Sequence, residues 1–224
     1  MPVPLKKTAK RVLIVDDHPM MRQGLAQLID NEPDLRVGGE ADSAAAALDL
    51  VIAQKFDLVL LDVSLPDKNG LEVIKDIRAQ KPELAILVVS MHDEAIYAER
   101  VLRAGARGYL MKQEGGKKLL AAMRQVLAGQ IFVSEKMSAL ILEIFSGHRA
   151  ASASPVERLS DREFEVFQLV GQGRSTREIA AHLHLSVKTV EVHRANIKTK
   201  LKLTSAVELV RYAVRWAEAE GRGA

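Results

Sequence analysis

The chain has no cysteine among its 224 residues. Disulfides, thiolate zinc sites and cysteine nucleophiles are therefore excluded, and a reducing cytosol is the expected compartment. Long apolar runs are missing too. Nothing approaches the roughly 18 consecutive residues that span a bilayer, so no membrane partner is expected. Lys6, Lys7, Lys10 and Arg11 precede an apolar run near the N-terminus, but that run is four residues long and ends on two aspartates, which does not read as a signal peptide. The six histidines are scattered, and no pair has zinc-ligand spacing. There is no internal repeat and no long low-complexity segment.

The net excess of charge is also small, but its placement is uneven. The net charge is +3, yet residues 1–130 carry 18 basic and 18 acidic side chains. The excess lies in residues 131–224, with 14 basic and 11 acidic side chains. Between Lys188 and Lys202 five basic residues face one acid, Glu191. Such a cluster suits nucleic acid, and a solvated helix face would produce it equally well.

With 48% hydrophobic and 27% charged residues, the chain has material for two cores and a soluble surface. The first half alternates two periods. Apolar runs at Val12–Val15, Leu58–Leu61, Ile86–Val89 and Gly108–Met111, with a weaker one at Leu35–Gly39, read as strands. Between them, Pro19–Ile29, Ser43–Ala53, Leu71–Ile77, Glu94–Arg103 and Lys118–Leu127 have helical spacing. That alternation predicts an α/β fold with a doubly wound, five-stranded parallel sheet. Ser134–Phe145 reads as one more helix, and the small residues, Gly and Pro of Ser146–Pro155 read as a linker. Leu159–Trp216 has helical signals only, which predicts an all-α second domain of four helices. The expected domains are 1–130, 158–224 and a connecting helix plus flexible linker at 131–157.

Four strand-like runs end on residues that touch phosphates or divalent metals: Asp16 and Asp17, Asp62, Ser90, and Lys112. In doubly wound sheets ligands bind beyond the carboxyl ends of the strands at the topological switch point, so these groups are expected to converge. Singly, each has an ordinary explanation. Asp-Asp favours turns and helix caps, and a lysine after a strand is most often surface. Together they are complementary. Carboxylates suit Mg²⁺ and can accept a phosphoryl group, while an ammonium and a hydroxyl can bind phosphoryl oxygens.

These residues resemble the receiver domain of two-component response regulators. The likeness is carried by Asp16-Asp17, Asp62-Val-Ser-Leu-Pro-Asp-Lys-Asn-Gly70, Ser90 and Tyr109-Leu-Met-Lys112, over roughly the first 125 residues. It implies a flavodoxin-like fold with Asp62 as phosphoacceptor. It implies Mg²⁺ held by Asp16, Asp17, Asp62 and the Ser64 backbone carbonyl. Lys112 and Ser90 would bind the phosphoryl group, and Tyr109 would turn inward when Ser90 is drawn toward it; an ordinary core-edge aromatic is the plainer role for Tyr109. Ser90 stands where threonine is commoner. Gln113-Glu-Gly-Gly116 intervenes before the last receiver helix and adds backbone freedom there.

In the C-terminal half, Ser160 with Glu163 fits a capping box, and Ser175-Thr-Arg-Glu178 can cap the next helix. On a third helix Val190, Ile197 and Leu201 share one side with His193, and Lys188, Glu191, Val192, Ala195 and Thr199 the other. The segments Leu159-Ser-Asp-Arg-Glu163, Gly173-Arg-Ser-Thr-Arg-Glu-Ile-Ala180 and Leu185-Ser-Val-Lys-Thr-Val-Glu-Val-His-Arg-Ala-Asn-Ile197 are similar to LuxR-type helix-turn-helix domains. With the receiver in front, the whole resembles the NarL/FixJ type of response regulator. The resemblance implies a recognition helix at Ser186–Leu201. Lys188, Glu191 and Val192 would lie nearest base edges, and Thr189, Arg194, Lys198 and Lys200 near the DNA backbone. The helix Thr204–Ala217 is apolar on more than one face. One face is expected under the recognition helix, and Val207, Val210 and Val214 are expected at a homodimer interface on double-stranded DNA.

The implied function is a phosphorylation-dependent transcription regulator fed by a sensor histidine kinase, with no enzymatic activity beyond phosphorylation and dephosphorylation at Asp62. Two other readings compete. A phosphatase of the haloacid-dehalogenase type needs a second acid two residues after its nucleophile, where this chain has Ser64. A regulator controlled by dimerisation or a small ligand would not need its complete acid site.

Overall fold

The computed structural model describes residues 9–145, 155–183 and 185–222. Residues 1–8 and Ser146–Ser154 of the expected linker lie outside these. The elements are β1 (Lys10–Val15), α1 (Pro19–Asp30), β2 (Leu35–Ala41), α2 (Ala44–Ala53), β3 (Leu58–Leu61), α3 (Gly70–Gln80), β4 (Ala85–Ser90), α4 (Glu94–Ala104), β5 (Gly108–Met111), α5 (Gly116–Leu127), α6 (Glu135–Phe145), α7 (Asp161–Gly171), α8 (Thr176–His182), α9 (Val187–Leu201) and α10 (Ala206–Arg222). They form two compact units, one ending at Ser138 and the other beginning at Ala139.

In the first unit the five strands are parallel in the order β2-β1-β3-β4-β5. The central strands are buried on both faces, which is why they read as unbroken apolar runs. Val12, Ile14, Leu58, Leu60, Leu87, Val89 and Leu110 pack against Leu25 and Ile29 of α1 and Leu119, Met123 and Val126 of α5. The alternate strand residues point to the other face. Chain order reverses about β1, which has β2 on one side and β3 on the other, so a crevice opens at the carboxyl ends of β1 and β3.

The loop after β3 is anchored at both ends. Asp67 accepts hydrogen bonds from the Ala44 and Ala45 N–H groups (2.9 and 3.0 Å) and so caps α2 from outside the helix. Burial alone would raise its carboxyl; these N–H donors hold it below the usual carboxylate range. Asn69 caps α3 through Leu71 N–H. Gly70 is required sterically, since a Cβ there would lie 2.4 Å from Val63 Cα.

The last receiver helix starts at Gly116, two residues before the expected Lys118. Gly115 adopts φ +82°, which lets the chain turn from the short 3₁₀ segment Lys112–Glu114 into α5. Beyond α5, Phe132 extends the sheet. Its carbonyl accepts the Tyr109 N–H and its own N–H binds Arg107 O, both at 2.9 Å. Ser134 caps α6 by accepting from Met137 N–H, while its own N–H binds Glu94 Oε1 at 2.8 Å.

In the second unit both expected capping boxes form, at Ser160–Glu163 and Ser175–Glu178. The core gathers Phe164, Phe167, Tyr212 and Trp216, with ring centroids 5.4 to 6.0 Å apart. The packing of α10 is therefore chiefly against α7, with a smaller contact to α9. One face of this helix was expected under α9; its fully buried residues are Leu209 and Ala213, and the aromatic contacts of Tyr212 and Trp216 draw that face chiefly onto α7 instead.

Candidate functional site

The crevice at the switch point brings the strand-end residues together. Asp16 and Asp62 are continuous with β1 and β3, and Asp62 N–H binds Val15 O at 2.8 Å, so the strand ladder sets their relative height. Lys112, at the end of β5, places its ammonium 2.7 Å from both Asp16 Oδ2 and Asp62 Oδ2. All three side chains are only 3–4% exposed. Burial opposes charge on Lys112, but the Asp62 charge and the hydrogen bonds that the ammonium donates to both carboxylates outweigh it and hold the ammonium above its ordinary value. Lys112 is thus a fixed cation at neutral pH.

Around this pair, Ser64 N–H donates to Asp62 Oδ1 at 3.1 Å. Ser90 is fully buried, and its Oγ accepts the His92 N–H at 3.2 Å. Tyr109 is fully buried and donates its hydroxyl to His92 O at 2.7 Å. His92 also contacts Ser64 Oγ through Nε2 (2.9 Å) and stacks on Tyr97 at 4.5 Å. Ser90, expected to bind a phosphoryl oxygen, and Tyr109, the aromatic expected to respond, are therefore linked through one histidine.

Asp17 completes the acids. Its Oδ1 is buried and has no hydrogen-bond donor among the described residues, although His18 Nδ1 lies 2.7 Å away. Atoms of Asp16, Asp17, His18 and Asp62 lie within 4.8 Å of one another. Three converging carboxylates, one with an unsatisfied buried oxygen, are a donor set that fits a hard divalent cation.

Three participants were not singled out from sequence. His18 binds Asp16 Oδ1 through its backbone N–H at 2.8 Å. Arg22 donates to Asp16 O at 2.6 Å and pairs with Glu40. His92 is the hub just described. The available signal was position: His18 follows the acid pair directly, and His92 lies two residues after Ser90.

On α9 the buried side is Val190, Ile197 and Leu201, as the periodicity required. Lys188, Glu191, Val192, Ala195 and Thr199 are exposed on the other side. The flanking residues differ from one another. Thr189 is tied to the Ser186 cap, with Oγ–Oγ1 2.7 Å. Arg194 is half-buried and donates to Thr176 Oγ1 at 3.2 Å. Lys198 is half-buried. Lys200 is committed to the buried Glu163 at 2.6 Å. Burial works against the Glu163 charge, but Lys200 and Ser160 hold its carboxyl below 4.5, the usual glutamate value. A lowered carboxylate contributes stability above its unfolded pKa and loses it as pH falls. The stability advantage of the native chain over Glu163→Gln is thus expected to be full at pH 7 and to shrink once pH drops below about 4.5. Urea midpoints at pH 7 and pH 4 measure this. On α10, Val207 and Val210 are exposed and Val214 is half-buried, on the side away from Leu209 and Ala213.

An acid crevice at the switch point of a β2-β1-β3-β4-β5 sheet, followed by a separate helix-turn-helix unit, defines a two-domain signalling regulator. The chain belongs to the response regulators: residues 12–124 match the response regulator receiver domain, and residues 157–213 match the luxR family of bacterial regulatory proteins. Among curated relatives, the oxygen regulatory protein NreC of Staphylococcus haemolyticus is 35% identical over 92% of this chain and 97% of its own. NreC of Staphylococcus aureus is 36% identical over the same shares. Among solved structures, RcsB from Salmonella enterica serovar Typhimurium, bound to the promoter rprA with phosphomimetic BeF₃⁻, is similar with a TM-score of 0.73 at 26% identity. That match covers 92% of this chain and 99% of RcsB. A LuxR-family response regulator from Aurantimonas matches 62% of this chain and 99% of its own at 32% identity, with a TM-score of 0.58. No helix among the described residues is long and apolar enough to cross a membrane.

Proposed function

We propose that the chain is a cytoplasmic, phosphorylation-switched DNA-binding regulator whose phosphoacceptor is Asp62. The observation that carries this is the Lys112 ammonium, shared at 2.7 Å by Asp16 and Asp62 in the switch-point crevice. An Asp62 carboxylate oxygen attacks the phosphorus of a phosphohistidine on a sensor kinase. The new O–P bond replaces the donor's P–N bond, and an acyl phosphate results. Asp16, Asp17, Asp62 and the Ser64 carbonyl would hold Mg²⁺, which neutralises phosphoryl oxygens during such transfers. Lys112 pairs with a phosphoryl oxygen, and Ser90 donates its hydroxyl to another. When Ser90 moves, the His92 backbone that it binds moves with it, and so does the hydrogen bond that His92 O accepts from Tyr109. The switch is thereby local at the acid site and legible on β5.

The C-terminal unit reads double-stranded DNA as a homodimer. Lys188, Glu191 and Val192, all exposed, face base edges. Thr189, Arg194, Lys198 and Lys200 lie toward the DNA backbone, the last after exchanging Glu163 for phosphate. Val207, Val210 and Val214 form the two-fold contact that spaces two half-sites about 34–36 Å apart. Acetyl phosphate with Mg²⁺ is expected to tighten binding to footprinted operator fragments by at least about tenfold, on the order of 1.4 kcal/mol of coupling. Unchanged affinity and oligomeric state on phosphorylation would instead favour control by dimerisation or a small ligand.

A further inference from the structure

Four ligand atoms meet at the acid site, and one of them is not an oxygen. The three aspartates alone are a hard set suited to Mg²⁺. His18 adds an imidazole nitrogen within the same 4.8 Å group. Its placement follows from local structure. His18 is the N-cap residue of α1, is followed by Pro19, and makes no side-chain cap to the helix. Its ring is therefore directed back over the β1 end, with Nδ1 at 2.7 Å from Asp17 Oδ1 and 3.2 Å from Asp16 Oδ1. The crevice is divided between two nitrogen partners, the Lys112 ammonium and the His18 imidazole. Lys112 takes the Oδ2 atoms of Asp16 and Asp62. The Oδ1 atoms of Asp16 and Asp17 face His18, and the Asp17 oxygen is the buried one without a hydrogen-bond donor. The imidazole is 66% exposed, so it can turn without disturbing the core.

We propose that His18 is a metal-selecting residue. It lends the acid site a nitrogen ligand that favours borderline divalent ions such as Co²⁺ and Zn²⁺ and leaves Mg²⁺ binding to the carboxylates. Imidazole suits first-row transition metals, whereas Mg²⁺ is held by oxygen and keeps its waters. The site thus discriminates among divalent ions through a residue that takes no part in phosphoryl transfer. The inference rests on the acid cluster being the metal site of the proposed reaction. Among the described residues no second group of three His or acidic ligands gathers to compete for the ion.

Isothermal titration of the full chain with Co²⁺ alone and with Mg²⁺ alone tests this. His18→Ala is expected to weaken Co²⁺ by at least about tenfold and Mg²⁺ by less than about twofold. It is also expected to shift the visible absorption of bound Co²⁺, a change that loss of structure without loss of a ligand would not produce. Equal losses for both ions, or undiminished Co²⁺ affinity in His18→Ala, would overturn the role of His18. Asp17→Asn separates this failure from a deeper one. It is expected to weaken both ions, and unchanged binding of both would place the metal elsewhere and sink the reading of the acid site itself.

Discussion

Lys112→Met is expected to lose about 3–5 kcal/mol of folding stability at pH 7 in metal-free buffer. Methionine preserves most of the side chain's length and apolar packing, so the change isolates the ammonium. Asp16 and Asp62 are each 3% exposed, and both lean on that one cation at 2.7 Å. Removing it strands two buried carboxylates beside a third, Asp17, which is the costly way to break a buried ion pair. In the native chain the Lys112 pKa is raised, so its contribution is fully present below the ordinary lysine value of 10.5 and is lost only as pH climbs through the folded value above it. Millimolar Mg²⁺ is expected to restore part of the loss by replacing the missing charge. Urea unfolding with and without Mg²⁺ measures both effects. A deficit below about 1 kcal/mol that ignores Mg²⁺ would mean that the carboxylates do not depend on Lys112.

Val210→Asp is expected to reduce operator affinity by on the order of a hundredfold while leaving the chain folded. The position is 38% exposed on α10, and the neighbouring Leu209 and Ala213 carry the packing against the domain core. In a two-fold interface the same residue recurs on both partners, so one substitution sets two like charges against each other in an apolar contact. Without that contact each half-site is bound separately, and the gain from linking them, about 10²–10⁴, is forfeited. Fluorescence anisotropy with sedimentation on the same sample reads affinity and assembly together. A monomer that keeps native affinity, or a dimer that survives the charge, would place the interface elsewhere.

The fold was legible because its signals are redundant. Val12–Val15, Leu58–Leu61 and Ile86–Val89 are buried on both faces, so they appear as runs that no solvent-facing element would carry. Their ends then located the acid site without any knowledge of loop geometry, because a parallel sheet puts every strand's carboxyl end on one edge. Ser160 and Ser175 were legible for another reason, since a capping box is written within four consecutive residues. What could not be read depends on where side chains point after folding. His18, Arg22 and His92 look like ordinary polar residues in the chain, and their importance comes from the atoms they reach: Asp17 Oδ1, Asp16 O and Ser64 Oγ. The same limit applies to α9, where Lys188 and Lys200 are equivalent as charges in a sequence. Both are exposed, but only Lys200 is held by an acid, Glu163, from a helix 37 residues earlier. The docking of α10 on α7 was hidden because an apolar stripe specifies that it will be covered and not by what.

The most direct test of the account is incorporation of acid-labile, base-sensitive phosphate from radiolabelled acetyl phosphate in the presence of Mg²⁺, run side by side on the native chain and Asp62→Asn. The account predicts one label per native chain, dependence on the divalent ion, and none on the variant. Label that persists on Asp62→Asn, or a native chain that takes up none while Mg²⁺ binds, would contradict it.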